Sequence, residues 1–179
     1  DTQELKRGAY PLPYLKARAF PPASTATITV FGRRDVTRDR DLAVLAQKPK
    51  TKFTEVQIGN DFGCGLKKNG KLHCWGTIRG KKSLARAPRG RYRAFSLGGV
   101  TGVALKKDGR LVAWGSDYFH VRTNLPKGRF VSLRSSYVNH CAEHKEGGIS
   151  CWGQAFYPAL HIPGPIHSYA LAGAGICYK

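Results

Sequence analysis

The chain of 179 residues is long enough for one domain with a buried core, and its hydrophobic fraction of 41% is ordinary for such a domain. No run of eighteen apolar residues is present, which argues against a membrane-spanning helix. Thirty Lys and Arg residues against eleven Asp and Glu give a formal net charge of +19, a balance that attracts anionic partners.

The first 24 residues are predicted to form an extended basic and aromatic arm. They contain four prolines, which break helices and remove strand donors, together with Tyr10, Tyr14 and Phe20. Because aromatic residues are too frequent here for a linker, we expect the arm to pack on the rest of the domain, residues 25–179, or on a partner. The chain begins with Asp1 and contains no methionine, so we expect it to be a processed product.

Three later stretches repeat one pattern. Residues 52–76 read KFTEVQIGNDFGCGLKKNGKLHCWG, residues 91–115 read RYRAFSLGGVTGVALKKDGRLVAWG, and residues 129–153 read RFVSLRSSYVNHCAEHKEGGISCWG. Trp75, Trp114 and Trp152 lie 39 and 38 residues apart. A fixed period of this size predicts an array of supersecondary units that bury their apolar faces against one another.

Each unit is predicted to centre on a β-hairpin. A polar residue followed by glycine fits a three-residue loop in which the glycine adopts the left-handed conformation. The three loops are Lys68-Asn69-Gly70, Lys107-Asp108-Gly109 and Lys145-Glu146-Gly147. This loop length fixes the register of the two strands that flank it.

The register places two cysteine pairs directly opposite each other, Cys64 with Cys74 and Cys141 with Cys151, at positions close enough for disulfides. The second unit has Val103 and Ala113 instead, so both cysteines are lost together, as expected of a bonded pair. The competing interpretation is zinc, but the spacing lacks the two to four residues between the ligands of zinc knuckles. We therefore predict disulfides.

Short strands, Gly-rich turns and a 38-residue period favour an all-β fold of the β-propeller type. The runs ALKKDGRLVAWG, CGLKKNGKLHCWG and CAEHKEGGISCWG resemble the repeat of the regulator of chromosome condensation family. The Cys-Trp-Gly variant is similar to the bacterial secreted branch, which includes a β-lactamase inhibitor protein. The resemblance covers residues 52–179 and implies a propeller, although the family usually has seven blades, more than this chain can supply.

The number of blades depends on the two ends of the domain. Ile166 aligns with Phe130 and Cys177 with Cys141, so a fourth unit begins and then stops before its turn. Residues 25–32, TATITVFG, resemble the strand that ends a unit, which predicts four blades with the first and last strands sharing one. The alternatives are half of a larger propeller closed by a second chain, one piece of a larger cut propeller, and an unrelated edge strand at residues 25–32. Cys177 is then a free thiol, a buried small hydrophobe or an intermolecular bridge.

The positive charge is uneven, since residues 62–107 contain no Asp or Glu. Seven cations lie in and beside the connection between the first and second units, and we predict that they bind an anionic partner: Arg79, Lys81, Lys82, Arg86, Arg89, Arg91 and Arg93. The alternative is the solvated surface of a basic protein. Because no nucleic-acid recognition motif is present, we expect nucleic acid to bind only as a non-specific polyanion.

No motif predicts catalysis or a cofactor, since G-x-S-x-G, Walker and dinucleotide patterns do not occur in the sequence. His140 and His144 would lie about 13 Å apart on a strand, too far to share a metal ion. We therefore expect no enzyme, no cofactor and no metal site. The alternative function in this class is a nucleotide exchange factor, like the founder of the family that the repeat resembles.

The predicted disulfides, together with the expectation that the chain is a processed product, predict a secreted, periplasmic or cell-surface protein. The favoured function is a non-enzymatic module whose propeller-rim loops dock an acidic protein, and its similarity to the inhibitor relatives implies a protein target. The alternative is an adhesin or lectin-like module for anionic glycans or other polyanions. A homodimer or a hetero-complex is compatible with either function.

Overall fold

A computed structural model describes residues 27–30, 43–44, 46–166, 169–172 and 175–178. The predicted arm, residues 1–24, lies outside the described residues. The first unit contains β1 (Thr27–Val30), β2 (Glu55–Ile58), β3 (Phe62–Leu66) and β4 (Leu72–Gly76). A short helix, α1 (Lys82–Ala85), leads to the second unit, which contains β5 (Tyr92–Leu97), β6 (Thr101–Lys106) and β7 (Leu111–Gly115). The third unit contains β8 (Phe130–Ser135), β9 (Asn139–His144), β10 (Ile149–Gly153) and β11 (Phe156–Ile162), and β12 (Tyr169–Ala172) and β13 (Gly175–Tyr178) follow.

The three repeats form three antiparallel sheets with one shared plan. In each unit the first strand pairs with the second and the second pairs with the third. The first and third units carry a fourth strand on different edges, since β1 pairs in parallel with β2 whereas β11 pairs with β10. The predicted hairpin of each unit is therefore confirmed, with one further strand paired before it in all three units, and the edges of the sheets vary.

The predicted hairpin turns and disulfides are confirmed. Gly70, Gly109 and Gly147 have φ values of 80°, 86° and 95°, a conformation that favours glycine. The resulting register places the cysteines face to face, with Cα–Cα distances of 4.0 Å for Cys64–Cys74 and 4.1 Å for Cys141–Cys151. The turn chemistry therefore determines where the disulfides form.

The fourth unit begins as predicted, but the shared blade was wrong. Ala170 lies opposite Cys177, the same register that places Arg134 opposite Cys141 in the third unit. Within residues 25–32, however, the described strand β1 pairs with β2, with Thr27 opposite Glu55, and β12 pairs with β13 in a two-stranded sheet. The β1 backbone therefore forms its hydrogen bonds with β2, where Val30 lies opposite Ile58, rather than with the C-terminal strands.

Successive units are joined by backbone hydrogen bonds at both ends of their strands. At the hairpin turns, the Tyr92 N–H donates to Gly70 O at 2.7 Å and the Phe130 N–H donates to Gly109 O at 2.8 Å. At the other end, Asn60 N–H donates to Gly99 O at 2.9 Å. The first strands β2, β5 and β8 are therefore neighbours, which is the radial arrangement of a propeller.

Two of the three tryptophans lie in the packing between units, as the repeat predicted, whereas Trp75 packs with Val44 and with Phe53 of its own unit. Trp114 packs with Phe62 and Tyr92 in the core between the first two units, and Trp152 lies in the core of the second and third. Trp75 Nε1 donates to Val44 O at 2.7 Å and Trp152 Nε1 donates to Val121 O at 3.1 Å, each to a carbonyl 31 residues earlier. Within the described part of the chain, the buried Trp114 Nε1 has no such acceptor.

Candidate anion-binding surfaces

The antiparallel strands give each unit two ends that are about 17–20 Å apart. We call the end that carries the turns at residues 67–71, 106–110 and 144–148 the hairpin end. The other, which carries residues 59–61, 98–100 and 136–138, is the far end. The seven predicted cations are exposed, but the path of the connection divides them between these two ends.

Arg79 lies at the far end, on the tip of a two-residue hairpin. The Ile78 N–H donates to Lys81 O at 3.2 Å and the Lys81 N–H donates to Ile78 O at 3.0 Å. Arg79 and Gly80 both have positive φ, 50° and 72°, as a type I′ turn requires. Because Arg has a Cβ, it adopts this conformation at a cost that glycine does not incur.

The Arg79 guanidinium carbon lies 4.9 Å from the centroid of the Tyr118 ring, in a cation–π contact. Tyr118 is 66% exposed, although the Phe119 ring supports it edge-on at 4.9 Å. The loop that carries Tyr118 is ordered by Asp117, which accepts hydrogen bonds from Arg122 N at 2.7 Å and from the Thr123 hydroxyl. Burial raises the pKa of Asp117, but these hydrogen bonds outweigh burial and lower it overall.

Two further features complete the far end. Lys81 and Lys82 are exposed beside Arg79, and α1, which begins at Lys82, packs against β4 and β7. Tyr137 is 42% exposed, and its hydroxyl accepts a hydrogen bond from Asn60 Nδ2 at 2.8 Å. The far end therefore combines cations with exposed tyrosines.

Arg91 lies instead at the hairpin end, against the turn of the first unit. A Cβ placed on Gly70 would be 3.4 Å from the Arg91 Cβ, and the same distance relates Gly109 to Arg129. Arg93 extends toward the third unit, where its Nη2 donates to Phe130 O at 2.6 Å. Each of the first two turns is therefore covered by the arginine that begins the next unit.

Asp108 is the carboxylate of the second turn, and it is ion-paired. Its Oδ2 lies 2.7 Å from Arg110 Nη2 and 3.6 Å from Arg129 Nη1. Hydrogen bonds from the Arg110 side chain, and then from its backbone N–H, lower the pKa of Asp108 to about 2. Within the described ranges these are the ion pairs, so none of the seven predicted cations contacts a carboxylate at that distance.

The sequence prediction thus missed most of the hairpin end. The exposed cations on the first two turns and on the strand starts that cover them are Lys68, Lys71, Arg91, Arg93, Lys107, Arg110 and Arg129. Of the seven predicted residues, Arg91 and Arg93 belong to this group, and Arg79, Lys81 and Lys82 belong to the far end. Arg86 and Arg89 lie on the connection from α1 to β5. The sequence feature that could have revealed this group is an arginine 21 or 20 residues after the first and second turn glycines, directly before the aromatic residue that begins the next unit.

His140 and His144 lie in separate hydrogen-bond networks. His140 is 1% exposed, with Nδ1 2.6 Å from Ser135 Oγ and Nε2 2.9 Å from Thr101 Oγ1, and burial lowers its pKa to about 3. His144 Nε2 lies 2.7 Å from Ser150 Oγ, and burial followed by the nearby His161 lowers its pKa. In the part of the chain that the structure describes, no group of three or more His, Cys, Asp and Glu could hold a metal ion.

Comparison with known proteins supports the repeat assignment. Residues 53–77 match the family described as Regulator of chromosome condensation (RCC1) repeat. The repeat is RCC1-like. No match to the sequence was found among curated proteins. The predicted likeness to the bacterial secreted branch stays a prediction.

Solved structures confirm the propeller fold. The ectodomain of the receptor kinase CR4 from Physcomitrella patens is similar with a TM-score of 0.56 and 24% identity, covering 68% of this chain and 34% of that one. The CRINKLY WD40 ectodomain of the receptor kinase ACR4 from Arabidopsis thaliana has a TM-score of 0.51 and 16% identity, covering 70% and 48%. Prp20p from Saccharomyces cerevisiae, described with its binding to Gsp1p and histones, has a TM-score of 0.50 and 16% identity, covering 66% and 39%. The chain therefore spans about a third to a half of these structures.

Proposed function

We propose that this chain is a non-enzymatic, extracytoplasmic binding module that docks an acidic protein at the far end of its propeller. The observation that carries the proposal is the Arg79–Tyr118 pair, an exposed aromatic ring under a guanidinium group at the tip of a tight turn. Tyr and Arg are enriched among the residues that contribute most to protein–protein affinity. Lys81 and Lys82 add the positive charge that would favour an acidic surface.

Backbone strain at Arg79 supports a binding role for this residue. Glycine or asparagine would occupy the first position of a type I′ turn more easily than arginine does. Strained residues of this kind are concentrated at functional sites, where the strain is retained because the side chain is needed. Because Asp117 and Phe119 hold the Tyr118 loop in place, the pair would lose little conformational entropy on binding.

The compartment is inferred from the cysteines. Two disulfides within hairpins form and persist in oxidising compartments. No helix in the described residues has the length and apolar character that crossing a membrane requires. Two of the similar structures are receptor ectodomains, and Prp20p is described as binding proteins, so both the location and the kind of activity have precedent on this fold.

The proposal is tested by affinity capture with the full chain and intact disulfides, from the extracytoplasmic fraction of the cells that produce it. We expect one acidic protein to be retained in stoichiometric amount by the wild type and to be lost with Tyr118→Ala and with Arg79→Asn. Asn tolerates the left-handed conformation, so Arg79→Asn removes the cation without disturbing the turn.

The matched control is Lys68→Glu with Lys107→Glu, which changes charge only at the hairpin end. This control variant should retain the acidic protein. Retention that is unaffected by Tyr118→Ala and Arg79→Asn would refute the assignment of the site, and recovery of no protein at low salt would refute the proposed function.

A further inference from the structure

The turns of the hairpin end form a second surface of unusual charge. Seven exposed Lys and Arg side chains lie on the turns of the first two units and on the strand starts that cover them. Asp108 is the carboxylate within these two turns, and Arg110 and Arg129 already neutralise it. Glu55, at the start of β2, is half-buried and accepts a hydrogen bond from Gln57, and burial raises its pKa. The exposed charge of this surface is therefore almost entirely positive.

The cations are continuous from one unit to the next. Arg91 lies on the first turn, which accepts the Tyr92 N–H, and Arg93 reaches the start of β8. Arg129 lies on the second turn, where its Nη1 donates to Asp108 O at 2.6 Å. The series ends at the third turn, where Glu146 follows Lys145 and the Ser132 hydroxyl donates to Glu143. The charged surface is thus a line across two units rather than a pocket.

The composition of this line distinguishes among anionic partners. The exposed tyrosines of the described residues, Tyr118 and Tyr137, both lie at the far end, and the large exposed apolar residue near the hairpin end is Val131. A protein interface would need buried aromatic or apolar anchors, and single-stranded nucleic acid would need aromatic rings on which bases stack. A linear polymer whose sulfate groups accept hydrogen bonds from Lys and Arg side chains needs neither of these features.

We infer that the hairpin end binds a linear sulfated glycan, laid across the turns of the first two units. Sulfated glycans are extracellular polymers, so this choice rests on the extracytoplasmic location proposed above from the two disulfides. Sulfate groups along the polymer would contact the lysine and arginine side chains in turn, and the binding would weaken as salt screens these contacts. This site is distinct from the far end and does not rest on the proposed protein partner.

The first test measures the affinity of a heparin oligosaccharide by titration calorimetry at fixed ionic strength. Lys68→Glu with Lys107→Glu should weaken binding by about tenfold or more, because two cations of the line become repulsive. Lys81→Glu with Lys82→Glu is the matched control, since it lowers the net charge equally at exposed positions of the far end, and it should change the affinity by less than about threefold. Equal losses in the two variants would mean that net charge alone attracts heparin and would overturn the site.

Asp108→Asn provides a gain-of-function test that does not depend on loss of folding. In the first turn, Asn69 Oδ1 accepts from Lys71 N at 3.1 Å, and Asp108 Oδ1 accepts from Arg110 N at 3.0 Å in the same way. Asparagine therefore keeps the turn while releasing Arg110 and Arg129 from their carboxylate. We expect heparin to bind about threefold more tightly, and an unchanged or weaker affinity would contradict the proposal.

Competition identifies the class of polymer. Polyglutamate and duplex DNA, each at the same total charge as heparin, should displace the oligosaccharide poorly, and heparin without its sulfate groups should not bind. Displacement by polyglutamate at equal charge would assign the surface to acidic proteins, and displacement by DNA would assign it to phosphate polymers. Either result would overturn the sulfated glycan.

Discussion

The second and third units share a strand plan but are stabilised by different side chains. Their hairpins have one register, with Val103 opposite Ala113 in the second and Cys141 opposite Cys151 in the third. One residue earlier on the same strand, Gly102 lies opposite Trp114, whereas His140 lies opposite Trp152. The backbone pairing is thus constant while the side chains at the paired positions are not.

The contrast shows that the strand register and the packing around the tryptophan are specified by different residues. The three-residue turn with a left-handed glycine is common to both units, so it is sufficient to set the register without a disulfide. The residue opposite each tryptophan then depends on where the indole ring lies. In the second unit, a Cβ on Gly102 would lie 2.2 Å from Trp114 Cζ2, whereas in the third the His140 ring stacks on Trp152 with centroids 5.7 Å apart. The indole ring therefore occupies a different place in each unit.

The largest effect is expected when the third unit is given the residue of the second, in His140→Gly. The change removes the ring stacked on Trp152 and leaves the buried hydroxyls of Ser135 and Thr101 without their partner. A cavity and two unpaired hydroxyls should lower the free energy of unfolding by about 3–5 kcal/mol, measured by urea denaturation. His73→Ala, at an exposed site on β4, is the control, and a loss below about 1 kcal/mol in His140→Gly would mean that the ring does not stabilise the third unit.

A smaller effect should follow when Cys141→Val and Cys151→Ala give the third unit the apolar pair of the second. Because the disulfide restricts the unfolded chain, its loss should cost about 2–3 kcal/mol, measured by thermal unfolding with and without reductant. The reverse exchange, Val103→Cys with Ala113→Cys, should form a new disulfide that peptide mapping detects, since these residues are directly opposite. If the introduced cysteines remain reduced under oxidising conditions, the two units do not share the register described above.

The buried His140 predicts an effect of pH on the stability of the third unit. Its pKa is lowered from 6.5 to about 3, so the folded protein stays neutral there while the unfolded chain takes up a proton. Stability should therefore fall as the pH drops below 6.5, by at most about 1.4 kcal/mol per pH unit until the folded pKa is reached. Urea denaturation from pH 7 to pH 5 should show a shallower dependence for His140→Gln than for the wild type, and parallel curves would show that His140 does not titrate as predicted.

The smallest effect on stability is expected in the turn of the second unit. Asp108 is exposed and its two ion pairs lie at the surface, where such pairs contribute little. Asp108→Asn, which gives the second turn the residue of the first, should leave the thermal midpoint unchanged by calorimetry. A clear fall in the midpoint would indicate that the ion pairs, and not the glycine and the Asx hydrogen bond, hold this turn.

Local chemistry explains which features the sequence could predict. The position of Cys64 opposite Cys74 depends on three residues of turn, so it could be counted along the chain. Arg79 and Arg91 lie at opposite ends of the sheets because of the path that the connection takes between them, which counting along the chain does not give. The position of Thr27–Val30 beside β2 depends on pairing between segments that are distant in sequence. The stacking of Arg79 on Tyr118 joins residues 39 positions apart, and only the packing of adjacent units brings them together.

The link from each turn glycine to the next unit has a consequence for protein engineering. Gly70 O and Gly109 O accept the N–H groups of Tyr92 and Phe130. The turn carbonyls of the first and second sheets are therefore satisfied by the sheet that follows each of them. A module intended for grafting therefore cannot be cut at its Trp-Gly end without leaving an acceptor exposed on one side of the splice. Junctions placed inside a Lys-x-Gly loop would carry the carbonyl and its donor together, which makes these loops the natural crossover points for hybrid proteins.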